Sequence, residues 1–545
     1  MQSIDRDGDL NNGIQISSEI RAVVDKHKET IDFDQATSDF GVDPNVSALL
    51  TALNEADVFT DTDSRPRTLR NAEAAREYYE RSTAKRKEVT TQYGAVRGYA
   101  VNETTWQWLG IPYAKPPIGD LRWRPPQEPS KWTGVRDAVA WSDQAAQNQA
   151  LQKYGEGGMS EDCLYLNVTA TQNAIDLPVM VWFHGGGFVV LTSNTKPFNN
   201  ALSLPSKGVV LVSVNHRLGP FGYMAHPLLS QESEYGGSGN YGQMDLIMAL
   251  EWVKNNIANF GGDPNNVTIF GESGGGRKVL SLMASPLAAG LFHKAISQSG
   301  TLIPDTRSLE SAESYGTALS EALGVTTIEQ LRAVSWTDIV DAATATVVPY
   351  TNIDGYYLPD TERSSFETHK NNDVPFMIVI NTNDNPDPIG TFKDVFPWMS
   401  EYTSKKYYAC LFSQVPAGWK AMGLLTYHGC ELAYVFNSPE SVVAHYQLGL
   451  VKDPATSESL VVGDINGNGV TGSEGDTEDI YVSAGFDAVD TEVIDTTMTF
   501  WTNFAKTGDP GTEAFTWPAY TKDNDAYVEL GSSPVAKTGQ STIFP

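Results

Sequence analysis

The sequence has few cysteines and few basic residues, and it contains no long apolar run. Its 545 residues include three cysteines, Cys163, Cys410 and Cys430, so at most one internal disulfide can form. A run of about 18 apolar residues is missing, which argues against a transmembrane segment. The N-terminal residues do not combine a basic segment with a following apolar one. We therefore expect either a cytosolic protein or the mature form of an exported one, and we favour a secreted or periplasmic location.

Acidic residues outnumber basic residues by a wide margin. Asp and Glu number 67 against 38 Lys and Arg, which gives a formal net charge of −29. Such a field repels nucleic acids and anionic membranes, so neither is expected as a partner. Solubility or salt tolerance is the simpler interpretation of the charge, and steering of cationic substrates is the alternative.

Two regions of the chain differ in composition. Residues 1–90 are rich in Asp, Glu, Asn and Thr, and apolar residues recur at helical spacing in 46–54 and 71–79. We predict an acidic, partly helical extension over residues 1–90 and a single catalytic domain over residues 91–545. The apolar fraction of 41% is normal for a globular chain with a large core.

Strand and helix patterns alternate in the second region. Leu177–Phe183, Gly208–Val214 and Asn266–Phe270 are short, almost continuous apolar runs of the kind found in buried strands. Helical spacing lies between the last two runs and ends at the turn-forming Gly261–Pro264. This alternation predicts an α/β fold with a mostly parallel sheet covered by helices on both faces. Functional sites in such sheets lie at the carboxyl ends of the strands.

The candidate nucleophile follows the third of these runs. Gly271–Gly276 reads G-E-S-G-G-G, which is G-x-S-x-G between a predicted strand and a predicted helix. The serine of this motif stands on a tight turn that exposes its hydroxyl, and the small flanking residues let strand and helix pack closely. A phosphate-binding turn is the alternative, but Glu272 and the lack of the lysine of such loops argue against it. We predict that Ser273 is a nucleophile.

A second glycine-rich segment follows the first run. His184–Phe188 reads H-G-G-G-F, the pattern of the oxyanion loop in lipases and esterases. Acyl transfer places negative charge on the carbonyl oxygen, and removing one backbone donor to it costs roughly 3–4 kcal/mol. We expect the donors to be the N–H groups of Gly186, Gly187 and Gly274.

Further segments carry family-specific motifs. These are Leu109–Pro117 (L-G-I-P-Y-A-K-P-P), Ser160–Val168 (S-E-D-C-L-Y-L-N-V), Asn215–Gly222 (N-H-R-L-G-P-F-G), Phe260–Pro264 (F-G-G-D-P) and Phe500–Pro510 (F-W-T-N-F-A-K-T-G-D-P). Through them the chain resembles the type-B carboxylesterases, the family of cholinesterases and fungal lipases, over almost all of residues 94–535. The resemblance implies an α/β-hydrolase fold, and we expect a bacterial member with the N-terminal extension lying outside the family's pattern.

The resemblance also indicates the base and the acid of a catalytic triad. Tyr427–Phe436 (Y-H-G-C-E-L-A-Y-V-F) is similar to the family segment around the catalytic histidine, which makes His428 the base. Val374–Asp384 is similar to the strand that leads to the acid, and Asp384 occupies the acid's position. Asn385 stands where most members have Gly, and Asp387 is the rival for the acid. The order of Ser273, Asp384 and His428 along the chain agrees with this assignment, because α/β hydrolases have nucleophile, acid and histidine in that order.

Several positions depart from the family pattern. The segment between Asp384 and His428 is short, which predicts a more open pocket or one rebuilt by other parts such as the extension. Cys163 lacks the upstream cysteine with which the family forms a disulfide, because Ala145 or Ala146 stands there. Lys153 occupies the place of the cholinesterase tryptophan, so choline esters are poor candidates.

Glu272 resembles the family's second acidic residue near the histidine. We expect it to give electrostatic support to His428 without transferring the proton. Gly274 replaces the alanine that most members have after the serine. It keeps the N–H donor and makes the turn more flexible.

A calcium site is a separate hypothesis. Asp464, Asn466 and Asn468 alternate as in the first half of an EF-hand loop, but Gly475 stands where the bidentate glutamate belongs. Residues 5–9 form a similar fragment. The simpler interpretation of both is an acidic turn. No cofactor is required for the predicted chemistry.

The predicted function is that of a serine carboxylic-ester hydrolase. It would act through an acyl-enzyme intermediate on small to medium ester substrates, and its partner is a small-molecule ester. The alternative is a non-catalytic cholinesterase-like binding or adhesion module. Hydrolysis of a short p-nitrophenyl ester separates the two. The natural ester and the oligomeric state are left open.

Overall fold

The computed structural model describes residues 80–148, 157–195, 198, 200, 203–303, 305–343, 350–421, 425–439 and 485–544. The helical stretches predicted at 46–54 and 71–79 lie outside the described residues. The predicted boundary after residue 90 directly follows the first strand, Arg86–Thr90, which already pairs with the sheet. The sheet therefore begins just before that boundary.

Seventeen strands occur among the described residues. They are β1 Arg86–Thr90, β2 Ala95–Ala100, β3 Thr105–Pro112, β4 Val135–Asp137, β5 Gln144–Ala145, β6 Met159–Ser160, β7 Tyr165–Thr171, β8 Leu177–Phe183, β9 Val210–Val214, β10 Gly262–Glu272, β11 Lys294–Gln298, β12 Arg307–Ser308, β13 Asn352–Ile353, β14 Phe376–Asn381, β15 Tyr407–Phe412, β16 Ala526–Leu530 and β17 Pro534–Thr538.

One large sheet organises the molecule. Its order is β1-β2-β3-β7-β9-β8-β10-β11-β14-β15-β16-β17, with β4 beside β2. All pairs from β9 to β16 in this order are parallel, and the flanking pairs on both sides are antiparallel. β5 pairs with β6 and β12 with β13 in two small separate sheets. The predicted mostly parallel sheet is thus confirmed.

The predicted strands are present with two adjusted ends. β8 has the predicted bounds, and β9 begins two residues later than predicted, at Val210. β10 is longer than the prediction of 266–270, because Gly262 pairs with Leu177 ahead of a register shift. Gly261 still ends the preceding helical region with a φ of +89°, a conformation that suits glycine.

Thirteen α-helices flank the sheet within the described residues. They are α1 Gly219–Tyr223, α2 Pro227–Glu232, α3 Tyr241–Asn256, α4 Gly274–Ala284, α5 Leu309–Ala322, α6 Ile328–Ala333, α7 Trp336–Ala343, α8 Glu362–Glu367, α9 Pro386–Gly390, α10 Phe396–Met399, α11 Ala417–Ala421, α12 Leu432–Val435 and α13 Ala488–Thr507. Short 3₁₀ turns lie at Gly119–Leu121, Leu204–Lys207, Ile257–Phe260, Pro286–Ala288, Ser400–Tyr402 and Gln540–Thr542, and a π turn lies at Thr391–Val395.

The core lies on both faces of the sheet. In β8, Val179, Val181 and Phe183 pack into one apolar cluster, whereas Met180 and Trp182 pack into another on the opposite face. Alternate residues of a strand point to opposite faces, so a strand covered on both sides must be apolar throughout. This is the physical reason for the continuous apolar runs in the sequence.

The structure also bears on the expectations about membrane-spanning segments and about disulfides. None of the helices in the part of the chain that the structure describes is long and apolar enough to cross a membrane. Cys163, Cys410 and Cys430 are buried and free, so the loop at Cys163 is not closed by a disulfide.

The topology gathers four loops at one edge of the sheet. β8, β10, β11 and β14 are consecutive neighbours and run parallel. The segments after their carboxyl ends therefore emerge side by side. These segments contain the glycine-rich loop after β8, Ser273, Ser299 and Asp384.

Candidate active site

Ser273 stands at a tight turn between β10 and α4. Its φ of +56° is unusual for a residue with a side chain and marks a strained backbone. Close packing leaves no room beside it for larger neighbours. A Cβ on Gly271 would lie 2.5 Å from the carbonyl carbon of Gly275, and one on Gly275 would lie 2.0 Å from the Phe183 oxygen. The glycines are thus needed to bring strand and helix together at the serine.

The oxyanion loop, His184–Phe188, packs against the start of α4. Gly186 and Gly187 have φ values of +85° and +57°. A Cβ on Gly186 would lie 2.1 Å from the Val190 oxygen, so the loop requires glycine there. A Cβ on Gly274 would lie 2.8 Å from the Gly187 nitrogen. The structure therefore brings the three predicted oxyanion glycines to one place beside Ser273.

His428 forms a short hydrogen bond to a buried carboxylate. Its Nδ1 lies 2.6 Å from Asp384 Oδ1, and the Asp384 side chain is 0% exposed. Asp387, the rival for the acid, lies in the short helix α9 and is exposed. The geometry thus brings Asp384, and not Asp387, to His428.

Glu272 lies on the other side of the histidine ring. Its Oε1 is 3.3 Å from His428 Nε2, and its side chain is almost buried. Ser273 and His428, both among the described residues, are not hydrogen-bonded to each other in this structure. Hydrogen bonds of a catalytic site are often loose before substrate binds and tighten in the complex. The serine hydroxyl and His428 Nε2 must come into hydrogen-bond contact before the proton can move.

Asp384 is held as a carboxylate. Burial alone would raise its pKa, but hydrogen bonds from His428, from Ser299 Oγ at 2.5 Å and from the Asn381 N–H at 3.1 Å lower the pKa below the ordinary aspartate value. A carboxylate that accepts several hydrogen bonds is stabilised in its charged form. Asp384 is therefore suited to orient a histidine.

His428 is surrounded by carboxyl groups. Burial alone would lower its pKa, but Glu272, Asp384 and Glu431 outweigh this and raise the pKa to about 9. Burial raises the pKa of Glu272 to about 8, against the opposing effect of His428. The site therefore favours a protonated imidazole, the form that a general base reaches when it has taken a proton.

A layer of polar residues behind the acid was not predicted from the sequence. Ser299 follows β11 and donates to Asp384. Glu431 is fully buried and accepts hydrogen bonds from Gln298 Nε2 at 3.0 Å and Asn381 Nδ2 at 2.6 Å. Ser299 directly follows β11 and Asn381 ends β14, and polar residues at such strand ends face the site, which was the available signal for both. Glu431 lies three residues after His428, within the segment Tyr427–Phe436.

Other predicted positions cannot be compared with the structure. Lys153, the candidate calcium ligands Asp464, Asn466 and Asn468, and the fragment at residues 5–9 lie outside the described residues. The calcium hypothesis and the interpretation of Lys153 stay predictions.

Comparison with known proteins identifies the family. The model of the carboxylesterase family matches residues 85–392 and 477–542. The chain belongs to the carboxylesterase family. The stretch between the matched segments, residues 393–476, contains His428.

Relatives of this carboxylesterase include proteins named as esterases. The chain is 32% identical over 508 residues to para-nitrobenzyl esterase of Bacillus subtilis (strain 168), covering 84% of this chain and 98% of that protein. It is 36% identical to fumonisin B1 esterase of Sphingopyxis macrogoltabida, and that match covers 61% of each protein. A solved PNB esterase structure superposes with a TM-score of 0.67 at 28% identity, covering 83% of this chain and 97% of that one.

These findings agree with the site geometry. The carboxylesterase has the α/β-hydrolase fold and is a serine hydrolase of carboxylic esters. The alternative of a non-catalytic binding module is not favoured.

Proposed function

We propose that Ser273, His428 and Asp384 form the catalytic triad of this carboxylesterase, and that Gly186, Gly187 and Gly274 form its oxyanion hole. The observation that supports the triad best is the 2.6 Å hydrogen bond between His428 Nδ1 and the fully buried Asp384. Because Nδ1 is engaged in this hydrogen bond, Nε2 is the nitrogen that receives the proton.

Acylation begins when Ser273 Oγ attacks the ester carbonyl carbon. The hydroxyl proton passes to His428 Nε2, while Asp384 holds Nδ1–H and stabilises the imidazolium. The carbonyl oxygen becomes an oxyanion that the three backbone N–H groups bind. When the tetrahedral intermediate collapses, the C–O bond to the alcohol breaks and the alcohol leaves with the proton from Nε2. The product is an acyl-serine.

Deacylation repeats these steps with water. His428 takes a proton from water, whose oxygen attacks the acyl carbon. A second tetrahedral intermediate collapses to the carboxylic acid, and the proton returns to Ser273 Oγ. Glu272, 3.3 Å from Nε2, adds negative charge beside the imidazolium in both halves of the cycle. Its role is electrostatic.

We propose that the substrates are small to medium esters with apolar groups. Three large apolar side chains near the site are open to solvent: Val189 is 39% exposed, Tyr350 42% and Leu425 61%. Val189 directly follows the oxyanion loop, Leu425 lies shortly before His428, and the Tyr350 ring is 6.0 Å from that of Phe188. Exposed apolar groups beside a polar site favour an apolar substrate part. The name of the para-nitrobenzyl esterase indicates that this relative acts on p-nitrobenzyl esters.

A series of p-nitrophenyl esters from acetate to decanoate tests the proposal. We expect turnover of the shorter esters by the unchanged protein and none above background by Ser273→Ala. A fluorophosphonate should label the unchanged protein at Ser273, as mass spectrometry of the peptides would show. Labelling at another residue, or retained turnover in Ser273→Ala, would contradict the assignment of the nucleophile.

A further inference from the structure

Lys278 is a buried cation directly behind the oxyanion loop. Its side chain is fully buried, and its Nζ donates a hydrogen bond to the backbone oxygen of His184 at 2.9 Å. The same ammonium lies 5.3 Å from the centroid of the Phe188 ring, within the range of a cation–π contact. Lys278 thus contacts the first and the last residue of the loop.

The position of Lys278 on α4 explains how it reaches the loop. Gly274 and Lys278 are four residues apart, so they share one face of the helix. A Cβ on Gly274 would lie 2.8 Å from the Gly187 nitrogen and 3.2 Å from the Phe188 nitrogen, so this face packs directly on the loop. Lys278 extends the same contact by one helical turn.

Lys278 has no counter-ion among the residues that the structure describes. None of the described carboxylates pairs with it, and burial lowers its pKa to about 7. The titratable groups beside it are His184 and His216, whose rings are buried and 4.8 Å apart. Burial and the charge of Lys278 lower the pKa of both histidines, which keeps them neutral. Burying an unpaired ammonium costs several kcal/mol, and an apolar side chain of the same length would avoid this cost.

We propose that Lys278 is a positioning residue that fixes the oxyanion loop against the nucleophile turn. It holds the His184 carbonyl and the Phe188 ring, so the N–H groups of Gly186 and Gly187 keep their alignment with that of Gly274. The proposal rests on the proposed function, because the loop matters only if Ser273 generates an oxyanion beside it.

The test compares two ketone inhibitors in Lys278→Met. A trifluoromethyl ketone forms a tetrahedral adduct with the serine and places an oxyanion in the hole, whereas the matching methyl ketone reports ground-state binding. Removing a single oxyanion donor lowers kcat by about 10²–10³, so we expect a positioning residue to contribute about ten- to a hundredfold. In Lys278→Met, kcat for p-nitrophenyl acetate and affinity for the trifluoromethyl ketone should fall in parallel, with KM and methyl ketone affinity nearly unchanged. Lys278→Gln keeps an N–H donor and should recover part of the loss.

Lys294→Met is the matched control. Lys294 is also a buried lysine, with a pKa lowered to about 8 by burial, but it begins β11 at the opposite end of the strand from the site. Its substitution should leave kcat and both affinities unchanged. Unaltered kcat in Lys278→Met, equal losses for both ketones, or no recovery in Lys278→Gln would overturn the proposal. So would failure of both Lys278 variants to fold while Lys294→Met folds. Ser273→Ala in the same assay tests the proposed function separately.

Discussion

At the scale of single residues, burial separates the two aspartates that compete for the role of the acid. The Asp384 side chain is fully buried and hydrogen-bonded to His428, whereas Asp387 is exposed in α9. We expect Asp384→Asn to lower kcat by at least about a hundredfold, because the equivalent change in a related triad costs about 10⁴. Asp387→Asn, the matched control, should stay near the unchanged protein. Steady-state kinetics on p-nitrophenyl acetate would measure both, and the reverse pattern would assign the acid to Asp387.

The carboxyl groups around His428 determine the pH range of activity. The base works only when it is neutral, and these groups raise the pKa of His428 to about 9. The acid limb of the kcat/KM profile should therefore lie above the ordinary histidine pKa of about 6.5. Glu272→Gln removes the carboxylate whose charge raises the pKa of His428 most. The acid limb should therefore move to lower pH by about one unit or more.

A pH series of kcat/KM for both proteins, corrected for spontaneous ester hydrolysis, provides the measurement. Glu88→Gln is a suitable control, because Glu88 is half exposed and pairs with Arg97 on the outer strands. An acid limb that stays in place in Glu272→Gln would show that Glu272 does not act on His428.

The functional residues that lie within a short sequence motif could be predicted from the sequence. Ser273, His428 and the loop glycines lie in short patterns whose chemistry depends on adjacent residues. Ser299, Glu431 and Lys278 act through contacts with distant parts of the chain, such as the bond from Ser299 to Asp384 across 85 positions. Such contacts depend on strand order, and no local pattern contains that information.

At the scale of elements, the close approach of β8 and α4 holds the site together. A Cβ on Gly275 would lie 2.0 Å from the Phe183 oxygen, and a backbone oxygen cannot move aside as a flexible side chain can. Gly275→Ala should therefore destabilise the protein by about 1–3 kcal/mol or more and lower kcat. Gly390→Ala is the control, because a Cβ there meets no described atom within 4 Å. Urea unfolding would compare the two, and equal stability would contradict the packing argument.

Apolar runs predicted the strand β8 to the residue, because a strand covered on both faces is apolar along its whole length. The start of β10 was missed for the opposite reason. Gly262 pairs with Leu177 through its backbone alone, and the segment that follows has the composition of a turn. Strand pairing through backbone hydrogen bonds alone does not require a pattern of apolar side chains, so the sequence does not reveal it.

At the scale of the whole molecule, the sheet order assembles a site from segments far apart in the chain. His184, Ser273, Ser299 and Asp384 follow four neighbouring parallel strands. His428 comes from a segment outside these strands, 44 residues after Asp384. The family resemblance predicted that the segments meet, but the distances among Glu272, His428 and Asp384 follow only from the packed structure.

The first strand of the sheet lies beside the predicted boundary between the extension and the catalytic domain. The sheet begins at β1, where Arg86 pairs with Tyr99 and its side chain lies 2.6 Å from Asp137. The family match begins at residue 85.

A chain that starts at residue 80 keeps all of these contacts, so it should fold with a nearly unchanged melting temperature and hydrolyse p-nitrophenyl acetate with unchanged kcat/KM. Thermal unfolding and kinetics on the acetate and octanoate esters would test this. A rise in KM confined to octanoate would show that the extension contributes to the acyl pocket, as the short segment before His428 suggests, and loss of folding would refute the domain boundary.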